Sequence, residues 1–234
     1  MDVLGEVWQR AVVTQDRPTG QIVAAAAFVA ALLVLVPGAW PVARHVVTIA
    51  HEGAHGLAAL LSGRRLAGIR LHSDTSGLTV SSGRPTGFGM VLTSFAGYVG
   101  PALLGLGAAF LLAAGHAGAL LWGLLLLLAL LLVQIRNWFG LWSVLVSGGV
   151  VFAASWWLPE RGLSAFAYLV AWFLLLAAPR PVLELQTKRW RGQARDSDAD
   201  QLARLTGVPG IVWVGVFLAV TVGAAVLGGS VILA

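Results

Sequence analysis

Residues 46–61 read VVTIAHEGAHGLAALL, with His51, Glu52 and His55 set in the middle of an otherwise apolar run. Ionisable groups in such a run are costly and mark function by default. On a helix, His51 and His55 are one turn apart, so both imidazoles point the same way and can ligate one metal ion. Glu52 lies about 100° around the helix, within reach of a water on that ion without being a ligand. This is the HExxH arrangement, in which the metal acidifies the water and the glutamate takes its proton. A chance HExxH in a chain of this size with 5 His has a probability of roughly one in 500. Arg44, Thr48, His51, Glu52, His55 and Ser62 share one side of the helix. Gly53, Ala54, Gly56, Ala58 and Ala59 leave room for a neighbour to pack closely. The alternative is a structural network of core histidines bonded to backbone carbonyls, with Glu52 paired to an arginine.

The rest of the chain supplies the membrane around this motif. Of 234 residues, 58% are hydrophobic and 11% charged, against about 25% charged in soluble domains. There is no cysteine, so any metal must be held by His, Asp, Glu or Asn. The segment before the first apolar run is of mixed charge and does not have the form of a cleavable signal peptide. The whole of 1–234 reads as one membrane-embedded domain.

Seven apolar segments approach the length needed to cross a bilayer, near 20–37, 41–62, 88–113, 117–136, 139–158, 163–179 and 209–232. The expected fold is therefore an all-α polytopic membrane protein with about seven transmembrane helices. With the N-terminus cytoplasmic and the C-terminus outside, 13 of the 15 Lys and Arg fall on the inner side, leaving Arg44 and Arg161. The net charge of +5 is then a signal of topology and of anionic lipid, and nucleic acid is not an expected partner. The plasma membrane is the expected location.

Two polar segments are expected on the cytoplasmic side. Around Asp74-Thr75-Ser76-Gly77, alternation of apolar and polar residues predicts a small β-hairpin at about 66–82, following the second span. In the loop at about 180–208, Ser197 can cap a short helix whose first turn holds Asp198 and Asp200, and Gly207-Val208-Pro209 ends it.

With these motifs in hand, the sequence resembles the site-2-protease clan of intramembrane metalloproteases, the M50 peptidases, and most closely the bacterial M50B-like group. The resemblance rests on HEGAHGLAALLSGRRLAGIRL (51–71), DTSG (74–77), FAGYVGPALLG (95–105), RNWFG (136–140) and SDADQLARLTGVPGIVW (197–213), in that order. It implies a zinc endopeptidase acting on transmembrane proteins within or beside the lipid bilayer, with His51 and His55 as Zn2+ ligands and Glu52 as general base. Typical members draw a third ligand from an LDG motif, which this chain lacks. Its nearest analogue runs from Asn137-Trp-Phe-Gly to Ser147-Gly148-Gly149.

Asp198 is the first candidate for the third ligand and Asn137 the alternative. Asp198 can also be read as a helix-start carboxylate, and Asn137 as a residue that bonds a carbonyl or positions substrate. Asp74 reads as a turn former, His45 as a neighbour or gate, and His116 as a solvated loop residue. The edge of the hairpin from Ile69 to Ser81 could hold unwound substrate by strand addition. Two other readings compete: an inactive homologue that binds zinc or acts as a scaffold, and a small proton or cation transporter.

Overall fold

The computed structural model describes residues 3–194 and 196–234. Its elements in chain order are α1 (Val3–Val12), α2 (Gly20–Leu35), α3 (Trp40–Leu61), the strands β1 (Arg65–Leu71) and β2 (Gly77–Ser82), α4 (Phe88–Ala113), α5 (Ala117–Gln134), α6 (Trp138–Trp157), α7 (Glu160–Ala177), α8 (Pro179–Trp190), α9 (Asp198–Thr206) and α10 (Gly210–Leu233). Every apolar segment expected to be helical is helical.

Five of these runs are long and apolar enough to cross a membrane: α4, α5, α6, α7 continued by α8, and α10. The pair α2 and α3 counts as one further span at most, because the two meet at a 100° bend. Prolines explain the break. Pro37 keeps the residue before it extended, which ends α2, and Pro41 sits in the first turn of α3, where its missing N–H costs nothing. The expected seven spans thus become five or six.

The bend also corrects the relative placement of the N-terminus. Arg10 donates to the carbonyls of Ser155 (3.4 Å) and Trp156 (3.0 Å). Gln15 N–H donates to Gly115 O (2.8 Å), and Arg17 donates to Ala113 O (2.9 Å). Counting α2 and α3 as two crossings put Arg10 and Arg17 on the side opposite these loops. The structure brings them together, at the end of the bundle away from the hairpin.

Small residues set the packing of the helices that carry the motif. A Cβ on Gly100 would collide with Ala54 of α3, and one on Gly105 would come within 3.0 Å of the α7 backbone at Leu175. Helices pack this closely in membranes because contact, not expulsion of water, holds them together. The main core joins α2, α5 and α7 through Val23, Ala30, Leu121, Ala167, Ala171 and Leu175.

The hairpin is antiparallel, pairing Arg65 with Ser82 and Leu71 with Gly77, with an irregularity between Leu66 and Gly68. Gly68 has φ +150°, a conformation that favours glycine. The hairpin folds back along α3: Leu66 and Ile69 lie against Gly56, and Thr79 bonds Glu52. The turn carbonyl of Thr75 accepts from Thr48 Oγ1 at 2.9 Å. Thr48 lies about 20 Å before the end of α3 at the helical rise per residue.

Candidate metal centre

Helix α3 brings His51 and His55 side by side, with Nε2 atoms 3.0 Å apart. The facing helix α4 shapes the space around them. Gly97 lies directly against both imidazoles, and a Cβ there would fall 2.5 Å from His55 Cε1 and 2.7 Å from His51 Cε1. Tyr98 meets the His51 ring edge-on at 4.8 Å and stacks on Phe217 of α10 at 5.0 Å. His55 Nδ1 lies 2.7 Å from the carbonyl of Thr93. A carbonyl can only accept, so Nδ1 carries the proton and Nε2 of the neutral ring keeps its lone pair for a ligand. Such a bond to the other ring nitrogen fixes the orientation of metal-binding histidines.

The third group arrives from the loop. Asp198 Oδ2 lies 3.3 Å from His51 Nε2 and 3.3 Å from His55 Nε2. It opens α9, whose start is built as the sequence predicts: Ser197 Oγ accepts from Asp200 N, and Gly207 closes the helix at φ 75°. Arg189 of α8 pairs with Asp200, and Ala199 and Leu202 are buried against Val182, Leu185, Val214 and Phe217. The short helix is therefore docked on α4 and α10 and tied to α8 by the Arg189 pair, which aims its first residue into the bundle.

Among the described residues these two histidines and one aspartate form a cluster able to hold a metal ion, with their ligand atoms within 4.8 Å of one another. A tetrahedral zinc with bonds of about 2.0–2.2 Å sets its ligand atoms about 3.3–3.6 Å apart. The two separations of 3.3 Å match the low end of that spacing, and the 3.0 Å between the histidine nitrogens is slightly shorter.

Glu52 sits beside this triangle and is buried. Its Oε2 accepts from Thr79 Oγ1 at 2.7 Å, and the same hydroxyl lies 3.1 Å from the Glu52 backbone carbonyl. Gly77 lies so close to the carboxylate that a Cβ would sit 2.5 Å from Glu52 Cγ. The turn between the strands holds Thr75 at φ 67°, an unusual conformation for a β-branched residue, with its carbonyl anchored by Thr48. The hairpin thus both covers and orients the glutamate.

The other candidates lie elsewhere. Asn137 spends its amide on the hairpin, accepting from Leu71 N at 3.2 Å and donating to Leu71 O at 2.6 Å. That is the carbonyl-bonding reading, and it locks β1 to the start of α6. Asp74 is a turn former, accepting from Ser76 N (3.0 Å) and Ser76 Oγ (2.6 Å). His45 packs on Phe139, and His116 precedes α5 at the opposite end of the bundle.

Sequence reasoning missed four contributors: Thr79, Gly97, Tyr98 and Thr93. It also left Glu184 without a role. Glu184 accepts from Trp40 Nε1 at 2.7 Å and pairs with Arg44 (3.3 Å) and Arg180 (3.4 Å), tying the start of α3 to α8. The alternation along 78–81 offered a signal for Thr79, since it places Thr79 and Ser81 on one face. Nothing local said that this face would meet Glu52.

A family model described as Peptidase M50B-like matches residues 24–228, a span that includes every residue of this site. No curated protein and no solved structure gives a match.

Proposed function

The chain belongs to the Peptidase M50B-like family, and on that premise we propose that it is an intramembrane zinc metalloprotease that cuts peptide bonds of transmembrane proteins. The observation that carries the proposal is the triangle of His51, His55 and Asp198 with Glu52 beside it. In this reading the three residues hold zinc and Glu52 is the general base. The chemistry a bound zinc supplies is Lewis acidity, which acidifies water and polarises a carbonyl. Glu52 takes the proton of the attacking water and returns it to the departing amine nitrogen. Thr79 holds the carboxylate at the angle this transfer requires. His55 is held by Thr93, and the His51 ring packs in a perpendicular arrangement against Tyr98.

A helical peptide bond is shielded by its own hydrogen bonds, so substrate must arrive unwound. The outer edge of β2 has no strand partner among the described residues, and an added strand there would run past Thr79 and Glu52. Lys and Arg are concentrated on the segments 63–87, 135–137 and 179–209. By the positive-inside rule this end faces the cytoplasm across the plasma membrane, and the N-terminus and the end of α10 lie on the other side.

The test is metal analysis and proteolysis on the same preparations. Purified protein should carry about one zinc per chain, and the His51→Ala/His55→Ala variant should carry none. Glu52→Gln should keep the zinc and lose cleavage of single-span test substrates. Zinc content unchanged in the double histidine variant would sink the metal site. Cleavage that survives Glu52→Gln would sink the proposed base.

A further inference from the structure

We propose that the outer face of the hairpin is a binding site for one anionic phospholipid, seated between Arg70 and Arg136. The two faces of the hairpin differ sharply. Ile69, Leu71, Gly77 and Thr79 face α3 and the core, where Ile69 and Leu71 are fully buried. Their neighbours Gly68, Arg70, Leu78 and Val80 form the other face, with Arg70 opposite Leu78 and Gly68 opposite Val80. Leu78 and Val80 are about half exposed, at 50% and 45%. The Arg136 side chain lies across Gly68, its Cγ occupying the place a Cβ would take. Together with Ala67 these residues line a hollow of about 280 Å³.

The hollow lies at the level of the membrane surface. Helices α5 and α6, of 18 and 20 residues, rise about 27 and 30 Å, which matches the roughly 30 Å hydrocarbon layer. Residues 135–137 join them, so this link sits at the surface. Ile69 bridges to Ile135, and Arg136 N–H donates to Ile69 O at 2.9 Å, which holds the hairpin at the same height. Trp138, 85% exposed, adds the interfacial aromatic expected there.

Charge and shape then select the occupant. Neither Arg70 nor Arg136 pairs with a carboxylate among the described residues; Arg136 uses one guanidinium nitrogen on the carbonyls of Val133 and Ile135. Two guanidiniums beside a half-exposed Leu–Val surface complement a phosphate carrying acyl chains, with the head group at the arginines and the chains along Leu78 and Val80. The bound lipid would brace the outer face of the strands whose inner face holds Glu52.

The site is tested by titrating phosphatidylglycerol and phosphatidylcholine into the purified full-length chain in neutral detergent, counting bound lipid by native mass spectrometry. One phosphatidylglycerol should bind at least about tenfold more tightly than phosphatidylcholine, since each interfacial Arg contributes about fivefold. Arg70→Gln/Arg136→Gln should erase that preference. Lys188→Gln/Arg191→Gln removes the same charge from exposed positions at the end of α8 and should leave the preference intact. Because Arg136 also caps backbone carbonyls, Arg70→Gln alone should weaken phosphatidylglycerol several-fold at an unchanged melting temperature. Equal losses in the two double variants, equal affinity for the two lipids, or displacement of the lipid by inorganic phosphate would each overturn the proposal.

Discussion

The two ends of this bundle are made of different materials. Toward the N-terminal end, α2, α5 and α7 meet mainly through apolar side chains, with Leu121, Ala167, Ala171 and Leu175 fully buried and the hydroxyls of Ser155, Ser164 and Tyr168 as uncharged exceptions. Around the motif, Thr48, Glu52, His55, Thr93 and Ser94 are buried instead. There a hairpin and a short docked helix close the bundle, and most of the buried polar groups have bonded partners. Buried ionisable groups are costly in any setting, so their concentration around the motif is the feature that separates the two ends. Substitutions at the two ends should accordingly fail in different ways, one losing stability and the other losing metal or turnover.

The sharpest break in that comparison is Asp198→Ala. Removing one of three ligands should lower zinc affinity by more than the roughly 10–100-fold typical of a lost supporting contact. The apolar end is untouched, so the protein should insert and melt almost as before. Competition with a zinc chelator measures the affinity, and an affinity within threefold of the native protein would remove Asp198 from the site.

Thr79→Val should come next. It keeps the shape and deletes the hydroxyl that bonds Glu52. Zinc content should stay at the native value while kcat falls about 10–100-fold, no more than the low end of the roughly 10²–10⁴-fold that a positioned base contributes, with KM little changed. Thr79→Ser should restore most of the loss. If Ser behaves like Val, the methyl group and not the hydrogen bond is what matters, and the hairpin is a cover without a positioning role.

At the apolar end the expected loss is of another kind. Leu175 is fully buried and its side chain packs on Gly228 of α10. Leu175→Ala should destabilise the fold by about 2 kcal/mol, at the low end of the range for soluble cores, because lipid already solvates the separated helices. Zinc affinity of the folded fraction should not move. Loss of metal in parallel with stability would mean the two ends are one cooperative unit.

How much of this was legible in the sequence follows the same division. The HExxH spacing needs only one helix, so His51, Glu52 and His55 could be placed without knowing any neighbour. The α9 start could be read for the same reason, since Ser197, Asp200 and Gly207 act within one short segment. The membrane class followed from composition. The failures are all long-range. The 100° bend at Pro37–Pro41 turned two expected crossings into one at most, and that reversed the place of Arg10 and Arg17. Asn137 stayed open between metal ligand and carbonyl bonding because its partner, the backbone of Leu71, lies 66 residues away. Thr79 and Gly77 acquire their roles only because the hairpin folds back along α3, which alternation alone cannot announce.

The smallest expected effect tests how Asp198 is held. Asp200 does not touch the histidines; it accepts from Ser197 Oγ at 2.7 Å and pairs with Arg189, which fastens α9 to α8. Asp200→Asn keeps the size of the side chain and removes its charge. Helix α9 would still be docked by Ala199 and Leu202, so Asp198 should be loosened and not lost. A partly buried pair of this kind is worth more than an exposed one, and exposed pairs contribute about 0–1 kcal/mol. The expected result is a drop in zinc affinity of about three- to tenfold, the equivalent of roughly 0.7–1.4 kcal/mol. Asp196→Asn is the matched control. Its carboxylate is 95% exposed and lies 3.7 Å from Arg204, a surface pair that should contribute almost nothing. If the two variants bind zinc equally well, the Arg189 contact does not position Asp198, and burial of Ala199 and Leu202 alone sets the third ligand in place.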